Sequence, residues 1–110
     1  DIGLIFSEIG GEKQICFDDN KDIIKLSIEN GVNTEITGLM VNVIGTERAE
    51  SFSLDDADVS KAGVYLTDLG YNIDGNGEIR QVKIIPLITP FDEEVVCTEQ
   101  ALVAESLRAC

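Results

Sequence analysis

Apolar and polar residues alternate along most of this chain with a period of two, the spacing of a half-buried β-strand. In Asp22–Glu29, Ile24, Leu26 and Ile28 share one face while Lys25, Ser27 and Glu29 share the other. Asn30-Gly31-Val32-Asn33 follows as a turn, because Asn and Gly tolerate positive φ. Thr34–Ile44 reads as the next extended region, with Leu39, Val41 and Val43 alternating against Met40, Asn42 and Ile44. Gly38 within it marks a bulge or a bend between sheets. Ser51–Leu54 is a short strand closed by the acidic stretch Asp55-Asp56-Ala57-Asp58. Val64–Leu69 and Glu78–Ile85 flank Asp74-Gly75-Asn76-Gly77 and read as a hairpin with a Gly-rich tip.

Pro86 has no amide donor, so its strand lies at a sheet edge there or ends there. Glu94–Cys97 supplies a further strand, and Ile2–Phe6 and Lys13–Phe17 two more, separated by Gly10-Gly11. Thr98–Cys110 fits two states. Glu99, Gln100, Ala101, Leu102 and Ala104 are good helix formers, yet Leu102 and Ala104 would equally line a final strand. Seven to nine short strands broken by turns predict one all-β domain over residues 1–110. The expected fold is an immunoglobulin-like antiparallel β-sandwich, with a short C-terminal helix as the alternative ending.

Composition changes this picture little. An apolar content of 44% in 110 residues is near the globular average and argues against disorder. Runs such as Gly3–Phe6 and Ile84–Ile88 fall far short of the ~20 apolar residues needed to cross a bilayer. Charge is more telling. With 21 acidic side chains against 8 basic ones, the net charge of −13 repels phosphate, so nucleic acid is not an expected partner.

The chain has no histidine, which removes Ser-His and Cys-His pairs and any imidazole base. Its three cysteines form no C-x-x-C pair. Among so many acids some carboxylate pair always lies at a suitable separation, so pairing alone points to no hydrolytic site. The chain therefore reads as a non-enzyme, with no cofactor other than calcium as a candidate. Asn72–Ile79 overlays the start of an EF-hand loop, with Asp74 and Asn76 as oxygen donors. The twelfth position of that loop is Lys83, a cation where a bidentate acid is needed, and a simple turn explains the glycines. Asp18, Asp19 and Asp22 form a second candidate calcium group, and Asp55, Asp56 and Asp58 a third. Their alternative role is to keep the ends of edge strands charged and solvated.

Cys16 precedes the first firm strand and Cys97 lies in a late one, so a Cys16–Cys97 bond would staple the two ends of a sandwich. Cys110 competes for either partner, and an odd count leaves at least one thiol free or bonded outside the chain. A disulfide in a small acidic β-domain points to an oxidising, extracytoplasmic setting.

One ordered set of segments is familiar. Cys16 is followed by Ile24-Lys25-Leu26-Ser27-Ile28-Glu29-Asn30-Gly31 and by Thr34-Glu35-Ile36-Thr37-Gly38-Leu39-Met40-Val41. Gly77–Ile88, with Pro86 near its end, then precedes Val95-Val96-Cys97. This order resembles the ectodomain of archaeal type IV pilin-like and archaellin-like proteins, including the archaellum accessory proteins F and G. The resemblance implies an immunoglobulin-like sandwich at the archaeal cell surface, acting as a structural subunit of a filament or envelope assembly. Identical subunits or a surface-layer protein would be its partners. Members normally begin with a hydrophobic helix that anchors them in the membrane. This chain opens at Asp1 without one and is expected to be a truncated or processed piece, with membrane contact only through the absent helix. Residues 1–12 are then an anchor remnant or a partner-contacting segment, and the apolar Ile2, Leu4, Ile5 and Phe6 are the candidate contacts. The alternative function is a binding module, calcium-dependent or otherwise, that links an archaellum or adhesin to the surface layer. No N-x-Ser/Thr sequon is present.

Overall fold

A computed structural model describes residues 2–110, and its elements follow the alternation closely. In chain order they are β1 (Ile5–Phe6), β2 (Glu8–Ile9), β3 (Glu12–Lys13), β4 (Ile15–Asp18), β5 (Ile23–Glu29), β6 (Gly38–Gly45), β7 (Ala49–Leu54) and β8 (Val64–Gly70). A single helical turn, α1 (Ile73–Asn76), leads into β9 (Ile79–Ile88). Then come β10 (Val95–Val96), β11 (Leu102–Glu105) and β12 (Arg108–Ala109), with 3-10 turns at Pro90–Asp92 and Thr98–Gln100.

Two sheets form an all-β sandwich. In the first, β5 runs between β8 on one side and β4 followed by β1 on the other, and β12 lies parallel to β4 at the far edge. In the second, β6 and β9 are central, β7 borders β6, and β10 and β11 border β9 in succession. The sheets alternate along the chain in the immunoglobulin-like manner. The faces chosen by the alternation are the ones buried: Ile24, Leu26 and Ile28 of β5 meet Leu39, Val41 and Val43 of β6 and Val82 and Ile84 of β9 in one core cluster. Burying each such side chain stabilises the fold by about 1.5–3 kcal/mol relative to exposure.

Twelve strands replace the expected seven to nine because the edges are broken. The β2–β3 hairpin, turning at Gly10 (φ 61°) and Gly11 (φ 81°), splits one edge into β1 and β4. A 3-10 turn splits an edge of the second sheet into β10 and β11.

Three expectations are corrected and one open alternative is decided. Val64–Leu69 and Glu78–Ile85 are not a hairpin: β8 pairs with β5 and β9 with β6, so the Gly-rich segment between them carries the chain from one sheet to the other. Gly38 is no bulge. It opens β6, where a Cβ would stand 3.1 Å from Cδ1 of Leu87, and the register shift falls instead between Ile44 and Gly45. The C-terminal segment is extended, because Leu102 and Ala104 pair with Ile84 and Val82 and turn inward, whereas a helix would forfeit those ladder bonds. Pro86 lies in a strand flanked on both sides, but at the break between β10 and β11, where its carbonyl accepts from Cys97 N at 2.9 Å and no return bond is needed.

The N-terminal segment is corrected too. Leu4 and Phe6 belong to the core, because pairing of β1 with β5 turns alternate residues inward, and Ile2 packs against the same cluster. Lys13 from the β2–β3 hairpin covers the Phe6 ring at 5.7 Å. Only Ile5 of the four proposed contacts faces solvent. Among the described residues no helix is long and apolar enough to cross a membrane.

Candidate functional site

The first sheet carries the chain's covalent closure on its outer face. Cys16 sits opposite Lys25 in the β4–β5 register, so its side chain points away from the sandwich core. β12 runs parallel to β4 with Arg108 opposite Cys16, and Cys110 N donates to Phe17 O at 3.1 Å. That register delivers the last residue to Cys16, and the two form a disulfide with Cα atoms 4.9 Å apart. The Cys16–Cys97 staple is thereby corrected to Cys16–Cys110. Cys97 follows β10 in the other sheet and is unpaired and half-buried, with burial pushing its thiol pKa up. An ion pair between Arg108 Nε and Glu12 Oε1 at 3.4 Å ties β12 to the β2–β3 hairpin, though exposed pairs of this kind contribute little.

The same outer face holds an apolar row. Ile5 (54% exposed) and Val64 (56%) stand on either side of Glu29, and Leu66 (72%) lies opposite Ser27. Val64 and Leu66 escaped the sequence reading because the segment Val-Tyr-Leu-Thr-Asp-Leu is apolar on both faces. One signal was available: Asp68 has the same parity as Val64 and Leu66, which marks their face as the wet one.

The acidic candidates do not come together. Asp18 Oδ1 accepts the amides of Asn20 and Lys21 at 3.0 and 3.3 Å, closing the β4–β5 turn in which Asp19 is exposed and Asp22 adopts φ 54°. Asp55, Asp56 and Asp58 lie at the other end of the sandwich, where Asp58 N donates to Asp56 O at 2.9 Å. Asp74 is exposed on α1. Among the described residues no three Asp, Glu or Cys side chains converge as a metal-binding group.

Asn76, the remaining calcium candidate, is buried and committed elsewhere. Its Nδ2 donates to Glu50 Oε1 at 2.8 Å, and its carbonyl accepts the amides of Glu47 and Arg48. Beside it the buried Tyr71 donates from its hydroxyl to Gly77 O at 2.7 Å and meets Phe17 edge-on at 6.0 Å. Burial, with the Glu50 carboxylate adding, raises the Tyr71 pKa above its ordinary value. Gly77 adopts φ 85°, and a Cβ there would collide with Thr46 Oγ1, so this corner needs glycine for its own packing. Of the two donors the EF-hand reading assigned to an ion, Asn76 thus locks the crossover between the sheets, while Asp74 stays at the surface. No family model, curated protein or solved structure matches the chain.

Proposed function

We propose that this chain is a non-catalytic structural subunit of a cell-surface filament or envelope assembly, built like the exported head of an archaeal pilin-like protein. The observation that carries this reading is the Cys16–Cys110 bond, which joins positions 94 apart in sequence and ties the end of the edge strand β12 to its neighbour β4 in the first sheet. Such bonds persist in oxidising compartments, and cytosolic proteins seldom keep them. Its use would be mechanical. A pull transmitted through Cys110 is borne by sulfur and β4 before β12 or β11 can peel from the sandwich. A charge of −13 keeps the free surface hydrated and repels nucleic acid, which favours protein partners, either identical subunits or a surface-layer protein.

The test is alkylation of the protein in intact cells, followed by mass spectrometry with and without reduction, together with protease accessibility from outside. The expected result is a surface-exposed chain in which only Cys97 reacts before reduction. A cytosolic chain with all three thiols alkylated would overturn the reading.

A further inference from the structure

The first sheet ends, on the side away from β12, in an unpaired strand. β8 pairs with β5 from Ile23↔Gly70 to Glu29↔Val64 without a register shift, and with no other strand among the described residues. The flanking bonds show which of its backbone groups stay open. Asn30 N donates to Gly63 O and Tyr71 N donates to Asp22 O, so the odd-numbered residues of this stretch turn their amides and carbonyls toward β5. Val64, Leu66, Asp68 and Gly70 therefore turn theirs outward, and the same residues are exposed.

Natural sheets guard such an edge with lysine, proline, a bulge or a covering segment. Val64–Gly70 contains neither lysine nor proline, and its register is unbroken. On a chain of charge −13 the strand carries a single acid, Asp68, which stands opposite Lys25. It is an apolar edge on a strongly acidic molecule, and its one acid is matched by Lys25, so the strand itself adds little repulsion between two copies.

We propose that β8 pairs antiparallel with β8 of a second copy of this chain, in the register that sets Leu66 against its own equivalent. The outward-facing backbone groups allow only even-numbered residues to face one another as hydrogen-bonded pairs. Centring on Leu66 places Leu66 beside Leu66 and Val64 beside Asp68, and keeps the two carboxylates apart. A slip that centres on Thr67 would instead set each Leu66 against an Asp68. The contact is self-complementary, as a two-fold dimer requires. It deepens the structural-subunit reading and rests on it for the choice of a second copy as occupant.

Sedimentation of the oxidised chain in a Cys97→Ser background tests this from micromolar to millimolar concentration, at low and high salt. The expected result is a monomer–dimer equilibrium that tightens with salt, since like-charged molecules gain from screening. Leu66→Lys weakens it roughly tenfold or more by facing two like charges across the new ladder, and leaves the melting temperature at dilute, monomeric concentration unchanged. In the same background Leu66→Cys oxidises to a covalent dimer faster than Val64→Cys or Asp68→Cys. A monomer under all conditions, a dimer indifferent to Leu66→Lys, or equal cross-linking at the three positions would each overturn the pairing. A monomer that is nevertheless surface-exposed with Cys16–Cys110 intact sinks the pairing alone. A Leu66-dependent dimer in a reduced cytosolic chain supports the pairing and sinks the structural-subunit reading.

Discussion

Cys110→Ser opens the Cys16–Cys110 bond by changing an exposed side chain and leaves the buried Cys16 in place, so its effect isolates the covalent closure. The bond spans a separation of 94 residues. In the chain-entropy model a loop of that length costs the unfolded chain about 4.7 kcal/mol of freedom at 25 °C. Unfolding entropy near the midpoint is about 2.1 cal/mol/K per residue, or roughly 0.23 kcal/mol/K for 110 residues. The quotient is a fall in melting temperature of about 20 °C, and about 4.7 kcal/mol is a large share of the ~5–15 kcal/mol that holds a domain together. The assay is thermal melting followed by circular dichroism, comparing wild type, Cys110→Ser and Cys97→Ser, each with and without reductant. Cys110→Ser should melt about 20 °C lower and be indifferent to reductant. Cys97→Ser should melt with the wild type and fall by the same margin once reduced. If instead Cys97→Ser carried the loss, Cys16 would be bonded to Cys97 and the parallel β4–β12 register would be wrong.

Neighbouring substitutions at the N-terminus should diverge: Phe6→Ala loses about 3–5 kcal/mol by emptying a core site, while Ile5→Ala stays within about 0.5 kcal/mol. Urea midpoints for the two variants check this, and equal losses would return Leu4 and Phe6 to the surface. The Tyr71 phenol has a folded pKa above its unfolded value of about 10, so its contribution is complete below that pH and is lost as pH rises beyond it. Urea midpoints measured into that alkaline range should therefore fall more steeply for wild type than for Tyr71→Phe. That variant also forgoes the bond to Gly77 O, worth roughly 1 kcal/mol. Millimolar calcium should shift the melting temperature by less than about 1 °C, because no three acidic groups converge among the described residues. A rise of several degrees would show a loop closing around the ion and would favour the binding-module function.

Much of the sandwich was legible residue by residue. The inward faces of β5 and β6 followed from Ile24, Leu26 and Ile28 and from Leu39, Val41 and Val43, because side-chain direction along an extended chain alternates by covalent geometry. Pro86 announced a missing donor but not its place: the strand runs on past it between two neighbours, with Pro86 at the break between β10 and β11. The N-terminal segment misled because Leu4, Ile5 and Phe6 are all apolar, and composition cannot tell which of three adjacent apolar residues a sheet turns inward. At Asn76 two readings shared one spacing, because the oxygen-rich pattern of an ion loop is also that of a capped turn; Lys83 already favoured the turn, and here Asn72 Oδ1 accepts the amide of Gly75 within α1.

Strand positions, an acidic surface and the lack of imidazole chemistry are properties of the chain read locally, and no folding is needed to know them. Sheet membership is different. Whether β8 joins β9 or β5 depends on partners tens of residues away, and the choice goes to the pairing that buries Tyr65 and Leu69 against the shared core. Sending β8 to the first sheet left its outer edge open, and the parallel pairing of β12 with β4 gave the disulfide to Cys110. Those outcomes are long-range, and only the assembled sandwich decides them.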